Sequence, residues 1–222
     1  MPIIALGAAT AILLNYWVVE GMLAERSDPT RSWISDLGAR SESTGWLFSA
    51  LDALSGLALG ALTVLLWSRV APRSRLLRWG MIALAVSAVC TVVDGLAPFS
   101  CAESLGAPCR SAHDPLDALH AIESAISIAA AIAGFGLLGE GFRRDPELRV
   151  LGIATYVCGV AWVLCYGFVA VGFVSAMLDG LKGSFQRPAQ LVFGVWVALL
   201  AAALASVPGL PRGGRAGMLA RR

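Results

Sequence analysis

Charged residues are scarce in this chain, and lysine and histidine are the scarcest of them. Charged residues make up 14% of the 222 positions, against roughly 25% in a typical soluble domain. Lys182 is the single lysine, and His113 and His120 are the two histidines. Hydrophobic residues account for 57%, and the mean hydropathy is +0.73. A chain with so little charge cannot cover its apolar surface in water, which excludes a soluble globular protein.

Several functional signatures are also absent. The sequence contains no GxSxG, HExxH or CxxC motif, so no common hydrolase or zinc-ribbon chemistry is indicated. The formal net charge of +2 is too small to suggest nucleic-acid binding. The apolar stretch from Pro2 to about Leu23 is too long for a signal-peptide core and lacks a basic region before it. We therefore expect this stretch to be retained as a first membrane span.

Long apolar segments dominate what remains. A helix needs about 20 apolar residues to cross a bilayer, and membrane-embedded backbone must satisfy its own hydrogen bonds. The sequence therefore predicts an all-α integral membrane bundle of six transmembrane helices, forming one domain over residues 1–210 with a basic tail at 211–222. The predicted spans are residues 2–23, 47–67, 77–98, 116–138, 149–174 and 188–208.

The charges are sorted between the two sides of this predicted bundle. If the spans thread the membrane in order, 11 of the 17 basic residues fall on one side, accompanied only by Glu140, Asp145 and Glu147. Basic loops stay in the cytoplasm, so the sequence predicts that both termini are cytoplasmic and that the acidic side faces outward. The arginine- and alanine-rich composition is typical of GC-rich bacteria, which favours a bacterial plasma membrane.

The five cysteines divide by location. Cys101 and Cys109 lie in one predicted external loop, where a disulfide is permitted. Zinc ligation is the alternative for this pair, although two cysteines are a poor zinc site. Cys90, Cys158 and Cys165 lie inside predicted spans and are expected to be small packing residues.

The densest chemistry lies in the segment AHDPLDALHAIES, at the start of the fourth span. Asp114 before a proline is typical of a helix cap. Asp117, His120 and Ser124 are spaced to share one helix face, and Glu123 is adjacent to that face. The cap places His113 in the loop. Polar groups on a membrane helix are expected to face the bundle interior.

Other spans carry ionisable residues to a similar depth on the outer side. These are Glu20, Asp52, Asp94 and Arg187. Their convergence predicts a shallow polar pocket. The alternative is that these groups only fix the bundle through interhelical bonds, with Arg187 neutralising Asp94 or Asp52.

The stretch WISDLGARSESTGWLF, residues 33–48, resembles the ISDLG signature of a six-span prokaryotic family known as domain of unknown function 998, DUF998. More distantly it is similar to the Frag1/DRAM/Sfk1 proteins. The resemblance implies that Ser35, Asp36 and Gly38 are functional or structural positions. Asp36 could reach the His120 layer as a ligand or base, or the motif could only fold the loop back over the pocket.

A further resemblance is to intramembrane metal-dependent hydrolases such as the alkaline ceramidases, which place Ser, Asp and His near one membrane face. Those proteins use a zinc site commonly built from three histidines. This chain has two, so a comparable site would combine His113 and His120 with a carboxylate such as Asp94. Zinc is therefore the candidate cofactor, although its site would contain two histidines and a carboxylate instead of three histidines.

Three functions remain open from the sequence. The first is non-catalytic binding of a lipid or lipid-linked headgroup in the outer pocket. The second is a lipid-directed hydrolase or transferase, metal- or His/Asp-dependent, and the third is a small-solute transporter. Membrane lipids are the expected partners, and the sequence assigns no oligomeric state. The candidate catalytic residues are His120, Asp117, Asp94 and Asp36, and the candidate pocket residues are Ser35, Asp52, His113, Glu123, Ser124 and Arg187.

Overall fold

The protein is an all-α membrane bundle, as its sequence predicts. A computed structural model describes residues 1–24, 28–102, 104, 114–174 and 180–207, and these residues contain helices and turns but no strand. The helices in chain order are α1 (Pro2–Leu13), a 3-10 helix (Tyr16–Val19), α2 (Glu20–Leu23), a second 3-10 helix (Ser35–Gly38), α3 (Gly45–Val70), α4 (Arg75–Leu96), α5 (Pro115–Arg144), α6 (Arg149–Val174) and α7 (Lys182–Ala205).

Five of the described helices, α3 to α7, are long and apolar enough to cross a membrane. The first predicted span is not one straight helix. It is a pair of segments, Pro2–Leu13 and Tyr16–Leu23, bent by 53°, and it makes a sixth span if the bent pair crosses as one. The bend lies at Asn15, whose side chain donates to the Ala11 carbonyl at 2.8 Å and accepts from the Trp17 indole at 3.2 Å. These bonds satisfy polar groups beside the break.

Two helices extend beyond the apolar segments that the sequence shows. α5 continues to Arg144 because its last turn is stabilised within the helix, where Glu140 accepts bonds from Arg143 and Arg144 at 2.6–2.8 Å. α7 begins at Lys182 and includes Pro188. A prediction from hydropathy ends each helix at its first charged residues, whereas the helical backbone continues past them.

Side-chain caps fix where α4 and α5 begin. Ser74 accepts a bond from the Leu77 amide at 3.1 Å, and Asp114 accepts one from the Leu116 amide at 2.9 Å. Pro115 occupies the first position of α5, where its missing N–H costs nothing. The cap predicted at Asp114 is confirmed.

Each long helix packs on the next one in the chain, and α1 closes the bundle by packing on both α7 and α3. Two glycines let α3 and α4 approach each other closely. A Cβ on Gly56 would lie 2.6 Å from the Val92 amide nitrogen, and one on Gly95 would lie 2.4 Å from the Ser49 carbonyl. A Cβ on Gly60 would make only an ordinary contact, 3.8 Å from the Ala88 Cβ. The tight contact at Gly95 holds the end of α4 against the start of α3.

Candidate functional site

The buried acidic and basic side chains of the described residues lie at one end of the bundle. This end, here called the acidic end, carries the loops 28–44 and 97–104, and the opposite end is called the basic end. The buried groups are at most 9% exposed, which keeps them from bulk water. They are Glu20, Asp36, Asp52, His120, Glu123 and Arg187.

Three helices bring four of the ionisable groups together. Asp52 comes from the start of α3, Asp94 from the end of α4, and His120 and Glu123 from the start of α5. Ligand atoms of Asp94, His120 and Glu123 all lie within 4.8 Å of one another. Asp52 and Asp94 line the same cavity. We call these four residues the His–carboxylate cluster.

The hydrogen bonding inside the cluster is incomplete. His120 Nδ1 lies 2.8 Å from Asp94 Oδ1 and 3.2 Å from the Ala97 carbonyl oxygen. One N–H cannot point at both oxygens, and Asp94 Oδ1 is a buried atom without a hydrogen-bond partner among the described residues. Glu123 accepts a bond from the Ser124 hydroxyl at 2.8 Å. Asp94 Oδ1 therefore has the His120 ring nitrogen as a close neighbour but no well-aligned hydrogen bond among the described residues.

The charges of the cluster are also unbalanced. Three carboxyl groups face one imidazole, so a fully ionised cluster would carry excess negative charge in a poorly solvated place. The sequence suggested Arg187 as the neutralising group, and this suggestion is wrong. Arg187 instead pairs with Glu20 through two parallel bonds of 2.8 and 2.5 Å.

The guanidinium of Arg187 makes further hydrogen bonds besides those to Glu20. It donates to the carbonyl oxygens of Pro29 and Ser32, each at 2.9 Å. Gly183 leaves room for it, since a Cβ there would lie 2.5 Å from Arg187 Nη1. The arginine fastens the 28–44 loop to α2 and α7, and it contributes no charge to the cluster.

A small cavity adjoins the cluster. Its lining includes Asp52, Asp94 and His120 together with three hydroxyl groups, those of Tyr16, Ser35 and Ser49. The volume open to the centre of a water molecule is about 10 Å³, close to the space that a single water requires. The Phe99 ring covers His120, with ring centroids 3.8 Å apart. The cavity has space for about one water, and a headgroup would not fit without movement.

The two loops of the acidic end form a cover over this cavity. The Arg40 amide donates to the Phe99 carbonyl at 2.8 Å, and the Ala102 amide donates to the Ser41 hydroxyl at 2.9 Å. The 3-10 helix Ser35–Gly38 lies within the cover, and Ser35 reaches the cavity.

Asp36, beside Ser35, is bonded within the cover itself. It accepts bonds from the Ser104 hydroxyl and from the Trp33 amide, the latter at 3.2 Å. Burial raises the pKa of Asp36 above its usual value, although the Ser104 bond opposes that rise. Asp36 does not line the cavity. Its contacts match the alternative in which the ISDLG motif only folds the loop over the pocket.

Asp117 also lies apart from the cluster. It accepts bonds from the amide and the hydroxyl of Ser100, at 2.7 and 2.6 Å. It therefore ties the 97–104 loop to the first turn of α5. Asp114 pairs with Arg40, and its pKa is lowered by the Leu116 amide bond and by the Arg40 bond. The carboxylates of both aspartates are thus bonded within the protein, and neither needs a ligand to explain its position.

Two sequence predictions fall on residues that are not described. His113 and Cys109 lie in 105–113, so the proposed His113 ligand and the Cys101–Cys109 disulfide remain predictions. Cys90, Cys158 and Cys165 are free thiols. Glu123, predicted only as a pocket residue, lies with Asp94 and His120 among the described residues that could hold a metal ion. Its spacing of three residues from His120 is the signal that could have indicated it, because such pairs share a helix face.

Comparison with known proteins gives one family. The family model described as "Protein of unknown function (DUF998)" matches residues 5–219. No curated protein and no solved structure matches the chain.

Proposed function

The chain belongs to the family of proteins of unknown function DUF998, and from the cluster at its acidic end we propose that it binds a divalent metal ion and hydrolyses a membrane lipid. The observation that carries the proposal is the set of three ligand atoms, from Asp94, His120 and Glu123, within 4.8 Å of one another. Metal ligands about 2 Å from an ion lie about 3–4 Å apart, so a small inward movement of the three side chains would enclose one.

The donor set favours zinc among the common divalent ions. One imidazole and two carboxylates leave an open position in a tetrahedral site, which is the arrangement of catalytic rather than structural zinc. A doubly charged ion would offset two of the three negative charges of the ionised carboxylates, and it would give Asp94 Oδ1, which has no well-aligned hydrogen bond, a partner.

The cavity supports a hydrolytic role more than headgroup binding alone. It has space for one water beside the candidate ligands, and a bound zinc ion would make that water reactive near neutral pH. Asp52 lines the same cavity without being needed as a ligand. Its carboxylate is placed to accept a proton from the water and return it to the leaving oxygen.

The position of the cluster suggests the substrate class. His120 and Glu123 lie in the first turns of a membrane-spanning helix, so a reacting bond must reach membrane depth. An ester or amide of a lipid meets this requirement. In ester hydrolysis the water oxygen bonds to the acyl carbon and the carbon–oxygen bond to the alcohol breaks. One water proton ends on the alcohol, and the other stays with the acid.

Metal analysis of detergent-purified protein tests the proposal. We expect about one zinc per chain after zinc loading and desalting, and a loss of most of it in His120→Ala and Glu123→Gln. Asp117→Asn is the matched control, because Asp117 lies on the same helix but binds Ser100. A wild-type chain that retains no metal, or a His120→Ala chain that retains as much, would overturn the metal site.

Product release from a mixed lipid extract tests the hydrolysis separately. We expect wild-type and Asp117→Asn protein to release free fatty acid, and His120→Ala to release none. Circular dichroism and gel filtration establish that each variant is folded. Stoichiometric zinc without any lipid cleavage would contradict the hydrolase and would leave a metal-binding protein. Lipid that co-purifies with such a protein would indicate lipid binding without catalysis.

A further inference from the structure

The arginines of the basic end fall into two groups, engaged and unengaged. Arg69 belongs to the first group. It donates to the carbonyl oxygens of Leu204, Ala205 and Val207, each at 2.9 Å, and so satisfies the free carbonyls at the end of α7. The Arg69 guanidinium is therefore bonded within the protein and is not free to bind an external anion.

The acids of the described basic end are also engaged. Arg73 donates to Asp145 at 2.7 Å and to Glu147 at 3.4 Å, which joins the α3–α4 turn to the α5–α6 turn. Glu140 accepts from Arg143 and Arg144. No described carboxylate at this end is left to pair with another cation.

Three arginines remain on the surface. Arg75, Arg78 and Arg149 are exposed, and none has an ion pair or side-chain hydrogen bond within the described part of the chain. Arg75 and Arg149 are the first residues of α4 and α6, and Arg78 is in the first turn of α4. Cations are unfavourable at a helix N-terminus because the helix dipole is positive there. Neither first turn contains an acid to compensate.

The depth of these arginines matches lipid headgroups. Trp79, in the first turn of α4, and Trp67, near the end of α3, have 51% and 39% of their surface exposed. Indoles favour the boundary between hydrocarbon and headgroups. Arg75 and Arg78 are within about a helical turn of Trp79 along the chain, which places them near the depth of lipid phosphates. Arg149 begins α6 at the same end of the bundle.

We propose that Arg75, Arg78 and Arg149 form a binding surface for anionic phospholipid headgroups at the basic end of the bundle. Phosphate would supply the negative charge that both helix starts lack, and exposed guanidinium groups can bind it with paired N–H donors. This surface is independent of the His–carboxylate cluster at the opposite end, and it requires neither metal nor catalysis.

The experiment compares two variants with equal changes in charge. Arg75→Gln/Arg149→Gln removes unengaged arginines, and Arg31→Gln/Arg40→Gln removes two arginines from the acidic end. Each protein is titrated at low salt with phosphatidylglycerol in neutral detergent micelles, and bound lipid is counted by native mass spectrometry. Phosphatidylcholine is the neutral lipid comparison, and inorganic phosphate is the free-anion comparison.

We expect the first variant to bind phosphatidylglycerol about 10-fold or more weakly, since each basic residue near an anionic surface contributes roughly fivefold to binding. The second variant and the binding of phosphatidylcholine should change little. Equal losses in both variants would show a net-charge effect and overturn the proposal. Inorganic phosphate that displaces phosphatidylglycerol at similar concentration would identify a free-anion site instead, which also overturns it.

Discussion

Depth along a helix predicts which polar residues can meet, but not which of them pair. Asp52, Asp94 and His120 share a depth in the sequence, and the structure brings them together. Glu20 and Arg187 share the same depth and yet bind each other, because α1, α2 and α7 are neighbours on the far side of the bundle from α4. The order of helices around the bundle decides the pairing, and hydropathy does not contain that order.

The Glu20–Arg187 pair gives a prediction about stability. Removing one partner of a buried ion pair leaves an uncompensated charge and costs about 3–5 kcal/mol. We expect Glu20→Gln to lower the free energy of unfolding by about 3 kcal/mol, and Glu20→Gln/Arg187→Gln to recover part of that loss. Unfolding in mixed micelles measures this, with exposed Arg143→Gln as control. A cost for Glu20→Gln no larger than for the control would contradict it.

Asp36 gives a prediction about pH. Burial raises its folded pKa above 3.8, the usual value for an aspartate, so the unfolded chain loses this proton first as the pH rises. The contribution of Asp36 to stability is therefore complete below about 3.8 and falls as the pH rises through the folded pKa. We expect the melting temperature of wild type, relative to Asp36→Asn, to decrease between pH 3.5 and 6. A relative increase over that interval would contradict the burial of Asp36.

At the scale of elements, hydropathy predicts the long helices well because the bilayer imposes one length on all of them. It fails at the first span, where the apolar run is continuous from Pro2 to Leu23 but the helix bends at Asn15. Asn15 is the one strongly polar residue in the middle of that run, and a single polar residue rarely indicates that a helix bends. Ion pairs within the helix likewise carry α5 on to Arg144, past the charges that end its apolar run.

The close contact of α3 and α4 gives a prediction about packing. A methyl group on Gly95 would overlap the Ser49 carbonyl and the Ala53 amide, so Gly95→Ala forces apart the helices that carry Asp52 and Asp94. We expect a loss of about 1–3 kcal/mol in unfolding free energy, together with weaker zinc binding. Gly136→Ala on α5, with nothing within 4 Å, is the control. Equal stability of both variants would contradict the contact.

At the scale of the whole molecule, the chain separates two kinds of charge onto two ends. Buried acidic and basic groups occupy the end with the His–carboxylate cluster, while exposed arginines occupy the other. Since basic loops stay in the cytoplasm, we expect the acidic end to face outward from a bacterial plasma membrane.

Cysteine labelling in intact cells tests this orientation. We expect a membrane-impermeant maleimide to modify Ser43→Cys, in the cover, and to leave Arg144→Cys at the basic end unmodified until the cells are opened. Both substituted positions are exposed. Wild-type protein sets the background from the native thiols. Modification of Arg144→Cys in sealed cells would mean the reverse orientation.

The separation of Glu20 from Arg187 also matters during synthesis. The two residues are 167 positions apart, and translation adds about 5–20 residues each second. Glu20 therefore enters the membrane region roughly 10–30 s before its partner exists. Until α7 is made, the first segment carries an unpaired acid, and the 28–44 loop lacks the bonds that Arg187 donates to Pro29 and Ser32. Insertion of α7 thus completes the acidic end, and a chain truncated before α7 would lack the Arg187 contacts at that end.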